Sequence, residues 1–288
     1  MKRSWEIDLL SAGGLAALVA LYLAPLAAML ALSTTDFHLG APEVRFIGAA
    51  NYASLFRDHE FWRALANTAV FAALVTPATV ILGFAAASAL LSASRVAAFL
   101  RGLNILPFMA TTAAMAVVWE VMLNPAMGVT HDLLAALGLG EQNWLRDPAT
   151  ALPTLAVIMV WRLFGLSMAL FTAGLAGVPK HLYQAAELDG AKTGWSRLFI
   201  VTLPAISRLS AFIVLIVTIR TLEAFDLIRV LTLGGPAGAT DTLLFRLYRE
   251  SFDFLRIGYG SAVSVIFLLL VGGLAWLQSA AASAKAGR

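Results

Sequence analysis

Six long runs of apolar side chains, separated by shorter segments that hold most of the charge, set the pattern of this chain. The runs cover residues 9–32, 66–91, 103–123, 152–175, 206–228 and 261–278. Each is close to the roughly 20 residues that an α-helix needs to cross the hydrocarbon core of a bilayer. No stretch alternates apolar and polar residues in the manner of a membrane β-barrel strand. The pattern therefore predicts an all-α integral membrane protein with about six transmembrane helices. Run 9–32 follows Lys2 and Arg3 but exceeds the ~7–15 apolar residues of a signal peptide, so it is read as a retained first span. Pro77 and Pro107 fall inside runs, where kinks are expected and the freed backbone groups must bond to neighbouring helices.

Composition agrees: 60% of the 288 residues are hydrophobic and 13% charged, against roughly 25% charged in soluble domains. There is no cysteine, which excludes disulfides and thiolate metal sites. His38, His59, His131 and His181 have no metal-ligand spacing, and no Ser-His-Asp set or close carboxylate pair is present. No catalytic residue, metal ligand or nucleic-acid partner is expected. All four lysines, Lys2, Lys180, Lys192 and Lys285, fall on one side if the N-terminus is cytoplasmic, and cytoplasmic loops are the basic ones. The expected topology is N-in and C-in, with 177–207 a cytoplasmic loop.

That loop is the most informative segment. Pro179 suits a helix N-terminus, and residues 180–189 are good helix formers. Gly190 breaks the run, because glycine alone takes left-handed geometry without a Cβ penalty. A second short helix is expected over 195–200, with Pro204 opening the next span. Leu182, Ala185, Ala186 and Asp189 share one face. Two alanines make that face thin enough to enter a groove on another protein, while Glu187, Asp189, Lys192 and Arg197 form a charged rim that can set register. The same features suit an ordinary interfacial helix joining two spans. Gly190-Ala191-Lys192-Thr193 is not a phosphate-cradling loop, since an alanine separates Gly from Lys and the site follows a helix rather than a strand.

Residues 183–204 closely resemble the coupling loop of ABC-importer permeases, the part that rests on an ATPase subunit. Ala185, Ala186, Asp189, Gly190, Ala191, Leu203 and Pro204 match that family's Glu-Ala-Ala, Gly and Ile-x-Leu-Pro pattern. Gln184 stands where the family has Glu, and Val201 where it has Ile, so a charge pair at position 184 is not implied. The resemblance runs over nearly the whole chain. Phe46-Ile47-Gly48, Asn51-Tyr52, Leu55-Phe56, Phe61-Trp62 and Asn67-Thr68 carry it first. Leu106-Pro107, Trp119, Leu123-Asn124-Pro125, Gly128, Asn143-Trp144-Leu145 and Asp147-Pro148 follow, then Phe225-Asp226-Leu227-Ile228, Val230-Leu231-Thr232, Gly234-Gly235-Pro236 and Gly258-Tyr259-Gly260. These resemble the carbohydrate-uptake class, on the maltose and glycerol-3-phosphate permease side.

The resemblance implies one transmembrane permease domain over 1–288, with a core over 66–279 and the type I importer fold. It implies a bacterial cytoplasmic membrane, a second homologous permease making a heterodimer, two ATP-binding subunits and an extracytoplasmic sugar-binding protein. ATP and Mg would be held by the ATPases, with no cofactor on this chain. Residues 184–192 (Gln184, Ala185, Ala186, Glu187, Asp189, Gly190, Ala191, Lys192) would carry the coupling.

Glu120, Arg162, Arg220, Glu223 and Asp226 lie in or near the spans, where an ion costs several kcal/mol unless it faces a pore or a partner. Arg220 and Glu223 are spaced to pair on one helix face. With Asn67, Trp119, Asn124, Trp161 and Phe225 they make the candidate substrate path, since sugars are held by aromatic faces and planar polar groups. Each has a structural reading too: the tryptophans as interface anchors, Asn67 as an interhelical bond, the ions as internal pairs. A different class stays open, an ion-gradient-driven carrier using Glu120, Glu223 and Asp226 as proton carriers. The paired repeats and broken helices usual in such carriers are not apparent in the sequence. A membrane enzyme would need a catalytic set, and none is seen.

Overall fold

The computed structural model describes residues 13–125, 128, 143–191 and 193–286, with backbone alone from 281. Lys2, Arg3, residues 9–12, His131 and Lys192 lie outside the described residues. Helices dominate, and among the described residues strand pairing is limited to an isolated bridge between Thr35 and Phe46. The helices are α1 (Gly13–Leu32), α2 (Ala50–Arg57), α3 (His59–Ala89), α4 (Arg95–Met109), α5 (Thr112–Met122) and α6 (Ala151–Ala176). They continue with α7 (Lys180–Leu188), α8 (Gly194–Ala205), α9 (Ser207–Leu222), α10 (Phe225–Leu231), α11 (Leu243–Tyr248) and α12 (Ile257–Ala286). Helices α1, α3, α6 and α12 are each long and apolar enough to span a membrane.

Two expected spans are broken. The run 103–123 is not one helix: α4 and α5 meet at 98°. Hydropathy is continuous across the break, but Ala110 and Thr111 are extended, with ψ of 148° and 139°. Pro107 lies just upstream and lacks the N–H that would hold the last turn of α4 to Leu103. Run 206–228 likewise divides into α9 and α10, interrupted at Glu223 and Ala224. By contrast α3 continues through Pro77 as one helix. The second helix of the 177–207 loop is longer than 195–200: α8 contains a wide π turn over Leu198–Thr202, runs on through Pro204, and meets α9–α10 at 73°.

The described chain divides into two compact units, 1–62 with 243–270, and 63–242 with 271–288. In the second unit α6 is the central helix, packed against α4 and α9. Its buried face carries Leu155, Ile158, Met159, Leu163, Met168 and Phe171. Lipid is as apolar as these side chains, so close fit rather than burial from water drives such packing. Gly165 shows the fit: any Cβ there would collide with the backbone of Asn104 in α4. Phe84 of α3 packs edge-on against Phe171, with ring centroids 5.4 Å apart.

The first unit is tied by polar groups. Asn51 donates both amide hydrogens to the carbonyls of Ser33 and Thr35, each at 2.8 Å, where α1 has ended and those carbonyls lack helical partners. The Tyr52 hydroxyl meets Ser33 Oγ at 2.7 Å. Arg246, nearly buried, pairs with Asp58 and Glu250, each at 2.9 Å, and with Glu60 at 3.4 Å. Glu250 is fully buried and also pairs with Arg256. Tyr259 donates its hydroxyl to Asp58 at 2.8 Å.

Burial opposes ionisation of Asp58. The Tyr259 hydroxyl, the Glu60 and Phe61 backbone N–H groups and the Arg246 charge together outweigh it and hold the carboxyl below its ordinary 3.8. A lowered folded pKa means that this contribution to stability is complete above the ordinary carboxylate range and is lost as pH falls through the depressed value. Arg246→Ala, which takes one partner from the buried Glu250 and one from Asp58, should cost about 3–5 kcal/mol. Thermal unfolding in mild detergent reads the loss. The variant starts low at neutral pH, and its gap to the wild type should hold on acidification until the pH drops below 3.8 and then narrow.

Candidate functional site

Two regions collect most of the candidate residues, both within the second unit. The first is the 177–207 loop. Pro179 is extended and precedes α7, which ends at Asp189. Gly190 turns the chain with φ of +92°, the left-handed conformation that glycine takes without strain. Its space is otherwise open, with nothing near where a Cβ would sit. Thr193 then caps α8, its hydroxyl accepting the Ser196 N–H at 3.1 Å.

The resulting hairpin has a small core of its own: Ala186, Ala191 and Val201, with Val178 and Tyr183 against them. Tyr183 OH reaches Thr202 Oγ1 at 3.2 Å. Arg197 pairs with Glu187 at 3.1 Å and donates from Nε to the Ala191 carbonyl at 3.2 Å. Leu182, Ala185, Ala186 and Asp189, the residues of the expected thin face, line a groove of about 490 Å³ on this chain together with Ile200, Val201, Pro204 and Ala205. Ala186 is at the same time part of the hairpin core. Glu187, assigned to an intermolecular rim, is engaged by Arg197 of its own chain. Gln184 is exposed. Sequence reasoning missed the apolar side chains that stand clear of the hairpin: Leu188 at 89% exposure, and Trp195, whose ring stacks on Phe199 at 6.1 Å. Leu188 and Trp195 are adjacent to the matched motif, so the motif itself pointed to them.

The second region holds the ionisable candidates. Arg220 and Glu223 pair at 3.1 Å across the end of α9, as the spacing predicted. Arg162 on α6 lies within electrostatic reach of Arg220 and of Asp226 in the first turn of α10. Its guanidinium sits 5.8 Å from the ring centre of Phe108, a neighbour supplied by the close α4–α6 approach at Gly165. Its Nε is buried without a hydrogen-bond partner among the described residues. Trp119 and Trp161 meet edge-to-face, with centroids 5.5 Å apart. Phe225 is half-buried at the start of α10.

Glu120 and Asn124 lie elsewhere, in a cavity of about 610 Å³ lined also by Asn143, Arg146, Thr232 and Pro236. Asn143 and the 232–236 turn were read from the sequence as motif residues but not as site residues. What was missing was the packing of α5 against α10, which brings them to Glu120. Asn67 donates both amide hydrogens to the carbonyls of Gly238 and Asp241, each at 2.9 Å. Its amide nitrogen is thus bonded to the turn that follows α10, not to a neighbouring helix.

The described chain is a multi-pass helical architecture with a compact two-helix hairpin after α6. Two solved structures of a bacterial ABC transporter for the acidic polysaccharide alginate share it. One matches with a TM-score of 0.83 at 20% identity, covering 98% of this chain and 96% of that chain. The other, solved in complex with an alginate pentasaccharide-bound periplasmic protein, matches with a TM-score of 0.82 at 20% identity, over 96% and 93%.

Sequence relatives carry the assignment further. A probable ABC transporter permease protein of Pyrococcus horikoshii is 34% identical over 243 residues, 83% of this chain and 82% of that protein. The trehalose/maltose transport system permease protein MalF of Thermococcus litoralis is 32% identical over 230 residues, 80% and 77% of the two chains. The sn-glycerol-3-phosphate transport system permease protein UgpA of Yersinia pestis is 32% identical over 234 residues, 81% and 79%. No protein-family model matches the chain. The chain belongs to the ABC transporter permease family. It is a multi-pass membrane protein.

Gly190→Ala meets no steric clash but must hold a left-handed φ, at a cost of roughly 1–2 kcal/mol. Gly194→Ala, with ordinary φ and open space, serves as the control. The expected result is a hairpin more open to limited proteolysis in the Gly190 variant alone, with both variants inserted in the membrane at wild-type amounts.

Proposed function

We propose that this chain is the membrane-spanning permease subunit of an ATP-driven importer for a carbohydrate or sugar derivative, working by alternating access in the bacterial cytoplasmic membrane. The observation that carries the reading is the folded 177–207 hairpin. A loop with its own core, an internal ion pair and a preformed groove can transmit a rigid displacement, which a slack connector cannot. Two partner ATPase subunits would bind ATP and Mg and grip the hairpin, with Leu188 and Trp195 among its outstanding apolar groups. A second homologous permease would complete the pore as a heterodimer, and an extracytoplasmic sugar-binding protein would deliver the solute. The N-in, C-in topology follows from placing the hairpin on the ATPase side.

The sugar class is supported by relatives named for trehalose/maltose and sn-glycerol-3-phosphate transport and by the acidic polysaccharide of the structural neighbours. The Trp119–Trp161 pair offers aromatic edges and faces suited to a sugar ring. The Arg162, Arg220, Glu223 and Asp226 cluster offers planar hydrogen-bonding groups that the low-dielectric surroundings strengthen. ATP-driven closure of the ATPases would move the hairpin, open the outer side to the delivering protein, and admit the sugar. Hydrolysis would restore the inward-facing state.

Affinity purification of the tagged chain in mild detergent should recover a second permease, an ATPase and a soluble binding protein. Proteoliposomes of that assembly should take up labelled sugar only with ATP and Mg on the hairpin side, and a protonophore should leave uptake unchanged. Gly190→Trp should abolish sugar-stimulated uptake while the assembly still inserts. Uptake by the lone chain that is lost with a protonophore and indifferent to ATP would overturn the proposal in favour of an ion-gradient carrier using Glu120, Glu223 and Asp226.

A further inference from the structure

The cavity that holds Glu120 is separate from the Arg162–Arg220 cluster: Arg162, Arg220, Glu223 and Asp226 are all absent from its lining. It lies in the second unit, among the end of α5, the turn that starts at Asn143 and the turn that follows α10. Its volume of about 610 Å³ falls within the roughly 300–1,000 Å³ of small-molecule sites. Helix α10 links the two places. Asp226 stands in its first turn, and Leu231, in the cavity wall, closes it five positions later. At 1.5 Å per residue, the cavity is reached roughly 7–8 Å along that helix from the inner cluster.

Glu120 and Arg146 bring opposite charges to one cavity, yet they do not neutralise each other. Neither makes an ion pair or a side-chain hydrogen bond among the described residues, and the Asn143 amide is likewise uncommitted there. The backbone beneath these groups is fixed. Helix α5 packs on α10, and the Arg146 and Asp147 N–H groups donate to the Asn143 carbonyl at 3.0 and 3.2 Å. In the opposite wall the Gly235 N–H donates to the Thr232 carbonyl at 2.8 Å. A preformed site loses less conformational entropy on binding, and the polar groups of this one are not used up in holding it together. A carboxylate accepts hydrogen bonds, a guanidinium donates them and an amide does both. Sugar hydroxyls donate and accept, so they match all three. The two formal charges cancel, which suits a neutral ligand, and Leu231 and Pro236 offer apolar surface to the C–H faces of a sugar ring.

We propose that this cavity is a second sugar-binding station, which takes a neutral disaccharide on Glu120, Asn143 and Arg146 before it reaches the Arg162 cluster. Its place as an entry station rests on the proposed importer and its N-in topology, in which the connections 124–150 and 232–242 lie on the delivery side. Two stations along α10 separate capture of the solute from its admission to the inner cluster.

The chain contains no cysteine, so Leu145→Cys, in the cavity wall, is a single reporter on this chain in its purified assembly. The reagent is a membrane-impermeant maleimide, and modification is read from the mass of this chain. The probes are maltose, trehalose, sucrose and cellobiose, with glucuronate as an anionic comparison. At ten times its half-protecting concentration, at least one of the disaccharides should slow labelling about tenfold, and glucuronate should not. Glu120→Gln and Arg146→Gln should each raise the half-protecting concentration about tenfold or more, with the melting temperature of the assembly unchanged. Arg162→Gln should leave protection intact. A cysteine that fails to label without sugar would mean that the cavity is filled, and would overturn the proposal. So would labelling that no disaccharide slows, equal protection by glucuronate, protection that survives both Glu120→Gln and Arg146→Gln, or protection that Arg162→Gln removes. An assembly that shows the expected protection but takes up no sugar with ATP would instead overturn the importer reading and leave the cavity as a sugar site.

Discussion

A backbone carbonyl inside a bilayer has no water to turn to, and each one left unpaired costs several kcal/mol. Long helices satisfy this constraint without help, and α3, α6 and α12 do so. The chain departs from continuous helix at several points, and at some of them a polar side chain reaches the freed carbonyls. Asn51 covers Ser33 and Thr35 at the end of α1. Asn67 covers Gly238 and Asp241 in the turn that follows α10. Thr240 covers the carbonyl of Gly235 at 2.7 Å in that same turn. The irregular segments persist because these bonds exist, and the 232–236 turn among them lines the cavity at Glu120.

Buried charge follows the same logic at a higher stake. Arg246 and Glu250 are almost without exposure, and apolar residues of similar volume would often fill such a place with no loss of stability. What ions supply is direction. A guanidinium has donors in fixed geometry, and Arg246 meets Asp58, Glu60 and Glu250 at once. The approach of the start of α3, the short helix α11 and the turn at Glu250 within the first unit is thereby specified by bonds with fixed angles. Apolar packing, which tolerates sliding, could not define it as narrowly.

Much of this was legible in the chain itself. Apolar runs revealed the spans because one period and one length suffice for a helix in lipid. Pro179, Gly190 and Pro204 revealed the hairpin, since proline fixes φ and glycine admits the left-handed turn that other residues resist. The i, i+3 spacing revealed the Arg220–Glu223 pair. The breaks at Ala110–Thr111 and Glu223–Ala224 were not visible, because hydropathy does not register two residues leaving helical geometry. The groove under α7 was hidden for a related reason: whether Ala186 turns outward or inward depends on Val201, and nothing local specifies that the two will meet. Asn67 was ambiguous until its acceptors, more than 170 positions away in sequence, were known.

The bend of 73° between α8 and the following helices has a mechanical meaning. Helix α8 is an arm of about 18 Å at 1.5 Å per residue, set nearly square to the shaft it joins. A sideways push of about 5 Å at the far end of such an arm corresponds to a turn of roughly 16° about the shaft. A pull along the shaft mainly flexes the elbow at Ile206. The assembly is thus a crank. In the proposed cycle such an arm would convert small lateral displacements into rotation of α9, the helix that carries Arg220.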